Sequence, residues 1–505
     1  MNILKRTFLL LFVLLIGLSA NAEKLNKTLK KLDAYYEQAR IDWNTPGMAV
    51  AIVKDDSLIY VKGFGVKDVE TGEPVNEHTL FAIASNTKAY TATALMQLQE
   101  AGKLNINDKV TTYLPWFETY DPFVTSQMTI KDLLCHRSGL KTFSGDLVWY
   151  GTDHSAREVV ERSRHLEPTY GFRESFGYSN IHYIAAGLVV EAVSGMSYSD
   201  YVQKNILDPL GMNRTVLSVE DLDSKGNYAS CHNEVDGKAI KIPYLNWDNA
   251  VAAGGLLSSA VDASKWIKVN LNNGIYKGDT LFTERSQHTM WQAHTSNYVS
   301  PYSQKTYPST HFKGYGLGWG LLDYHGKKIV RHSGGYDGML SITVLVPEEN
   351  LGFCIFVNAL SPVYSYLAYK TLDTFLSDDD TDWSGNALER AKNRKPRKAA
   401  EAIPNTTPSL DLEKYIGSYN SKLYGNLNIS IKDNKLFVEF AHTEIFKGQL
   451  DHFHYDTFEL KFDAVPSLPK GKLTFSLNAK GEVASLLVNI PNPDFDFTEL
   501  DFIKQ

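Results

Sequence analysis

Ser85 and Lys88 lie one helical turn apart in the stretch Phe81-Ala82-Ile83-Ala84-Ser85-Asn86-Thr87-Lys88, ahead of the helix-like run Ala89 to Glu100. An S-x-x-K spacing on a helix puts a hydroxyl and an amine on one face, beside the helix N-terminus. A serine hydroxyl is a poor nucleophile until a base takes its proton, and a nearby lysine can do so once its own pKa has fallen. The chemistry this pair suggests is acyl transfer. The spacing alone is weak, since ordinary Ser and Lys usage gives roughly two by chance in a chain of this length. Three are present, but Gly139 interrupts Ser138 to Lys141 and Pro469 interrupts Ser467 to Lys470, so neither opens a regular helix easily. Only Ser85 has a helix behind it.

Two further groups could complete a site. Tyr178-Ser179-Asn180 stands just before the helix-like Ile181 to Val193, so its side chains can project from a loop into a cleft. The Y-x-N spacing recurs at Tyr244 to Asn246 and Tyr424 to Asn426 and is not specific by itself. His332-Ser333-Gly334-Gly335 follows the strand-like Lys327 to Arg331, and adjacent glycines at a strand edge let a backbone N–H approach a ligand. His136 and His311 are read as structural. Clusters with metal-ligand spacing are absent from the sequence, and neither metal nor cofactor is expected. Cys135, Cys231 and Cys354 are odd in number and widely spaced, which gives no disulfide framework; they are read as small buried residues.

The elements that must hold these groups are mixed helices and strands as far as residue 376. Met48 to Val53 and Ser57 to Tyr60 read as a hairpin turning at Lys54-Asp55-Asp56. Ile181 to Val193 is an apolar helix ended by Gly195, and Tyr198 to Leu207 is another, stopped by Pro209 and Gly211. Ser341 to Val346 and Leu351 to Val357 form a second hairpin across Pro347-Glu348-Glu349-Asn350. Asp378-Asp379-Asp380, the charged segment Leu388 to Glu401 and Pro404 to Pro408 mark residues 377–411 as a solvated surface helix and linker. From Leu412 the period becomes two, as in Leu427/Ile429/Ile431, Leu436/Val438/Phe440 and Leu473/Phe475/Leu477, which predicts a separate antiparallel β domain, closed or nearly closed.

Residues 1–22 have Lys5 and Arg6, an apolar run Phe8 to Leu18, and Ala20-Asn21-Ala22, the layout of a cleaved secretory signal. The run is too short to span a bilayer, so export without a stable membrane anchor is expected, to a periplasmic or secreted location. The remainder carries 49 basic against 58 acidic residues, a net charge of −9 that argues against a nucleic-acid binder.

In the order S-x-x-K, Y-x-N, H-x-G the chain resembles the serine β-lactamase and penicillin-binding-protein superfamily, in its class C-like branch of D-aminopeptidases and esterases. His136-Arg137-Ser138-Gly139-Leu140, Pro209-Leu210-Gly211-Met212, Ala253-Gly254-Gly255-Leu256 with Ser259 to Asp262, and Tyr315-Gly316-Leu317-Gly318-Trp319 add to the likeness. The resemblance covers about Leu25 to Leu376, so residues 23–376 form the expected catalytic domain. It implies an α+β fold, an antiparallel sheet flanked by helices plus a helical subdomain, with the site between them. The tail, residues 412–505, resembles the lipocalin-like β domain that often follows such hydrolases.

The resemblance also implies the roles. Ser85 is the nucleophile, Lys88 the base with a lowered pKa, and Tyr178 the proton relay. Asn180, His332, Ser333 and Gly334 bind substrate, with Asn180 also holding Lys88; the backbone N–H groups of Ser85 and Gly335 receive the oxyanion. Many β-lactamases carry a permanently charged lysine where this chain has His332, a residue charged only below a pKa near 6.5. Carboxylate binding is therefore expected to weaken between pH 6 and 8, and β-lactam hydrolysis to be inefficient. The leading expectation is an exported hydrolase of a small amide, peptide or ester, with loops Phe143 to Ser155 and Thr295 to Thr310 setting its preference. The alternatives are a true β-lactamase and a penicillin-binding-like sensor without turnover.

Overall fold

A computed structural model describes residues 2–394, 401–465, 468–492 and 494–505, with side chains from residue 22 onward. The expected leader, residues 1–22, thus lies almost wholly outside the residues whose side chains are described, as does Ser467. No helix among the described residues is long and apolar enough to cross a membrane.

The larger, N-terminal part of the chain is built on an eight-stranded antiparallel sheet in the spatial order Ser57–Gly65, Gly47–Lys54, Leu351–Val357, Met339–Val346, Lys327–Tyr336, Gly320–Tyr324, Lys313–Tyr315, Thr295–Asn297. Strands from the two ends of the segment pair as the second and third of the eight, where Met48 pairs with Val357 and Lys54 with Leu351. Both hairpins are where the sequence puts them, and Asn350 supplies a left-handed residue (φ 43°) at the second turn. The sheet is covered on both faces, so its central strands are apolar at nearly every position. Met48, Val50 and Ile52 face one layer with Leu29, Leu32, Tyr36, Leu367 and Leu372, from the helices Asn2–Asp42 and Val363–Leu376. Ala49, Ala51 and Val53 point the other way, and these small side chains admit the helix Ala260–Leu271 through Ile267 and Trp266.

The helix Thr87–Glu100 is buried at 11 of its 14 positions, Thr87 through Met96 plus Leu98, and packs on Asn180–Ser194. Ser179 caps the latter by accepting from His182 N, and Gly195 ends it at φ 73°. The run Tyr198 to Leu207 is helical throughout but switches to a π-turn over Gln203–Leu207.

Within residues 377–411, of which 395–400 lie outside the described residues, residues 389–394 and 401–405 are exposed as expected, and the departure is the start of one helix. The helix Trp383–Lys392 is docked: Trp383 is buried and donates to Asp373 Oδ2 at 2.6 Å, while Trp43 Nε1 donates to Ser384 Oγ at 3.0 Å. A tryptophan ahead of the charged run, rather than the run itself, decides its packing. From Gly417 to Lys504 eight strands pair in sequence and the last closes on the first, a complete barrel. Its inward positions are filled by Tyr419, Leu427, Phe440, Phe458, Phe475 and Phe502. The barrel docks on the loop segment 141–165. Glu499 accepts from Ser144 Oγ (2.6 Å) and Gly145 N (2.7 Å), Lys141 pairs with Asp496, and Tyr150 packs on Phe495 with ring centroids 4.3 Å apart.

Candidate active site

The turn that carries Ser85 is a 3-10 segment, Ala84–Asn86, feeding directly into the helix Thr87–Glu100. Ala84 is left-handed at φ 46°, a conformation a non-glycine residue holds only when its surroundings enforce it. The enforcement is visible: Ile83 N donates to Leu256 O, Asn86 Nδ2 to Ile83 O and Ser341 Oγ (both 2.9 Å), and Thr87 Oγ1 to Ala84 O. Ser85 is thereby presented, part-exposed, at the wall of a cleft of about 520 Å³.

Lys88 is fully buried and its Nζ has three neighbours: Asn180 Oδ1 at 2.6 Å, Ala253 O at 2.7 Å and Ser85 Oγ at 3.1 Å. Burial brings its pKa down to about 7, against the opposing field of Asp146. In the neutral amine two N–H bonds go to the two pure acceptors, leaving the nitrogen lone pair for the Ser85 hydroxyl. That is the geometry of a general base, and it is dictated by which partners can only accept.

Asn180 is fixed in turn, because its Nδ2 donates to Asp146 Oδ2 at 2.6 Å while Trp149 Nε1 donates to Asp146 Oδ1 at 2.9 Å. Asp146 is buried, which raises its pKa to about 7. Asp146 is absent from the sequence-based site. It is a lone acid within the loop assigned to substrate preference, 34 residues before Asn180, and no spacing rule connects the two.

Tyr178 lines the cleft, and burial holds its phenol well above the usual tyrosine range, with the Ser85 hydroxyl acting the other way. It therefore remains a protonated donor, as a relay needs. His136 accepts Ser179 N–H at Nδ1 (3.1 Å), and its ring lies 4.3 Å from that of Tyr178. This structural histidine holds the Tyr178-Ser179-Asn180 segment in place.

His332 overturns one expectation. It is buried, its Nδ1 lies 2.6 Å from Ser333 O and its Nε2 2.8 Å from Tyr315 Oη. The first partner can only accept, which assigns the proton to Nδ1 and leaves Nε2 to accept from the tyrosine. Burial, followed by the nearby Lys88, takes its pKa down to about 3. His332 is neutral across the whole range in which a charge switch was expected, so it cannot hold a carboxylate by charge.

The strand also runs further than read: it continues through His332-Ser333-Gly334-Gly335 to Tyr336, while its neighbour Gly320–Tyr324 stops pairing at Arg331. Residues 332–336 are thus a free edge beside the turn that carries Ser85. A Cβ at Gly334 would overlap Ile83 O and come to 2.6 Å of Ser341 Oγ, so glycine is required there for close approach. At Gly335 a Cβ would meet only Leu340 Cδ2, at 3.5 Å; Ser333 and Gly335 face the cleft.

Seven of the eight predicted positions, Ser85, Tyr178, Asn180, His332, Ser333, Gly334 and Gly335, line one cleft, and the eighth, Lys88, reaches it from beneath. Tyr244 and Tyr424, from the other Y-x-N matches, are not among the lining residues, and Lys141 is engaged with the barrel. The three cysteines are buried and free. Asp153, His154 and His442 come close enough to share a cation, but at the barrel interface, and none of them lines the cleft.

The site is thus a strained turn that presents a serine to a buried lysine beside a free strand edge. Residues 30–374 match the family model described as Beta-lactamase, and the chain belongs to that family. Residues 401–504 match a domain of unknown function, DUF3471. The chain is 29% identical over 420 residues to "Unguisins hydrolase ungD'" of Aspergillus campestris, covering 77% of this chain and 75% of that one. It is 28% identical to "Protein flp" of Staphylococcus aureus strain N315 over 66% of this chain and 64% of the relative. The octameric penicillin-binding protein homologue from Pyrococcus abyssi shares the fold, with a TM-score of 0.62 at 22% identity over 94% of this chain and all of that one.

Proposed function

We propose that the protein is an exported serine hydrolase that forms an acyl-enzyme on Ser85 and hydrolyses a small amide, peptide or ester. The observation that carries this reading is Lys88: a fully buried amine with two obligate acceptors and the Ser85 hydroxyl as its third partner. Lys88 takes the Ser85 proton as Oγ attacks the substrate carbonyl. The tetrahedral oxyanion meets the backbone N–H groups of Ser85 and Gly335, where the loss of one donor typically costs about 3 kcal/mol. Tyr178 passes a proton to the departing amine or alcohol, and water then releases the acyl group along the reverse proton path. Binding of anionic β-lactams gains nothing from His332, which favours a peptidase, amidase or esterase over a β-lactamase.

The test is a turnover panel of D-aminoacyl amides, short-chain esters and nitrocefin, run on the protein and on Ser85→Ala. Hydrolysis of an amide or ester, abolished in Ser85→Ala, supports the proposal. Nitrocefin as the best substrate would favour the β-lactamase alternative, and binding of all three without turnover would favour a sensor.

A further inference from the structure

The cleft is one-sided in charge. Among its described lining residues Asp146, Asp337 and Asp494 are acidic and none is a lysine or arginine, while the histidine among them, His332, is neutral. Asp146 has both oxygens engaged, by Asn180 and Trp149. Asp337 does not: Oδ1 accepts from Tyr150 Oη at 2.7 Å, and Oδ2 is buried without a partner. A buried carboxylate oxygen left unpaired is costly, and such groups in a cleft mark where a ligand donor belongs.

Asp337 lies in the turn two residues beyond Gly335, where the strand Lys327–Tyr336 reverses into Met339–Val346. Asp494 comes from the other half of the molecule, on the barrel segment that closes the cleft. Its charge is felt at Asp337, and burial raises the pKa of both carboxyls, to about 6 for Asp337. The surrounding wall is aromatic. Tyr150 and Phe495 pack at 4.3 Å between centroids, and Trp247 and Tyr336 at 4.4 Å. Ring faces carry negative potential and attract cations. Two acids that line one cleft and feel each other's charge, one with an empty acceptor, inside an aromatic wall and with no lysine or arginine among the described lining residues, are complementary to a substrate ammonium.

We propose that Asp337 and Asp494, walled by Tyr150 and Phe495, form a subsite for the ammonium group of the substrate, so that the acyl donor carries a free amine close to its reacting carbonyl. The inference rests on the reading of Ser85 as nucleophile and narrows it to amine-bearing amides or esters. It gives the barrel a part in substrate recognition, since Asp494 and Phe495 belong to it.

The test uses protection of Ser85 against a fluorophosphonate probe at pH 7, which needs binding rather than turnover. Alaninamide and N-acetylalaninamide are compared as protectants on the full chain, and their ratio is read within each variant so that changes in overall labelling cancel. The ammonium compound is expected to protect at about tenfold lower concentration, the equivalent of one charge-assisted hydrogen bond. Asp337→Asn, which keeps an acceptor for Tyr150, and Asp494→Asn on the exposed barrel loop should each bring the ratio toward one. Equal protection by the two compounds in the wild type, or an undiminished ratio in both variants, overturns the subsite. A wild type that the probe does not label at all overturns the nucleophile reading, and the subsite with it.

Discussion

At the scale of single residues, the chemistry of the site turns on which partners can only accept. Lys88 is neutral only when the pH exceeds its lowered pKa, so acylation should rise as pH climbs through about 7 and flatten above it. The groups around it are Asp146, Tyr178, His136 and His332, and among them only Asp146 titrates in that window; the apparent midpoint therefore belongs to the pair. Asp146 favours the ammonium form, so Asp146→Asn should move the midpoint of the pH–rate profile to lower pH. A midpoint that stays or rises would contradict this. The same substitution loses one of two buried acceptors, at a cost of about 1–3 kcal/mol in stability, measurable by denaturant unfolding. Conversely, KM for an anionic substrate should show no step between pH 5 and 8 attributable to His332, and a His332→Gln variant should leave the shape of that profile unchanged. The type of His332 was legible in the sequence and its charge was not. Charge depends on burial, and burial here comes from Tyr315 and the strand packing rather than from neighbours in the chain.

At the scale of elements, the Ser85 turn and the free strand edge must approach within contact. Gly334 is the position that permits it, so Gly334→Ala should displace the edge from Ser85, costing about 1–3 kcal/mol of stability and most of the turnover. Gly335→Ala should be far milder, because its Cβ has room; equal losses at the two glycines would contradict the assignment. The hairpins, the helices after Ser85 and Tyr178, and the alternating barrel strands were all readable from periodicity and turn residues. Asp146 was not, because it works through Asn180 across 34 residues of irregular chain. Nor was the docking of Trp383–Lys392, since a charged run masks one buried tryptophan; Trp383→Ala should cost about 3–5 kcal/mol, read as a lowered unfolding midpoint.

At the scale of the whole molecule, the barrel is more than an appendage. Glu499 binds Ser144 and Gly145, the two residues before Asp146, so the barrel braces the loop that orients Asn180 and, through it, Lys88. Glu499→Ala should lower kcat with a smaller effect on KM, and removal of residues 401–505 should slow acylation as well as broaden substrate range. An unchanged kcat in the point variant would show that the brace is only structural. The central claim, that Ser85 is a nucleophile activated by Lys88, is tested most directly by peptide-resolved mass spectrometry of the intact chain after brief exposure to a fluorophosphonate. The predicted result is a single adduct on Ser85, absent from Ser85→Ala and formed about 10²–10⁴-fold more slowly in Lys88→Ala; an adduct that persists in Ser85→Ala, or a rate indifferent to Lys88, would contradict it.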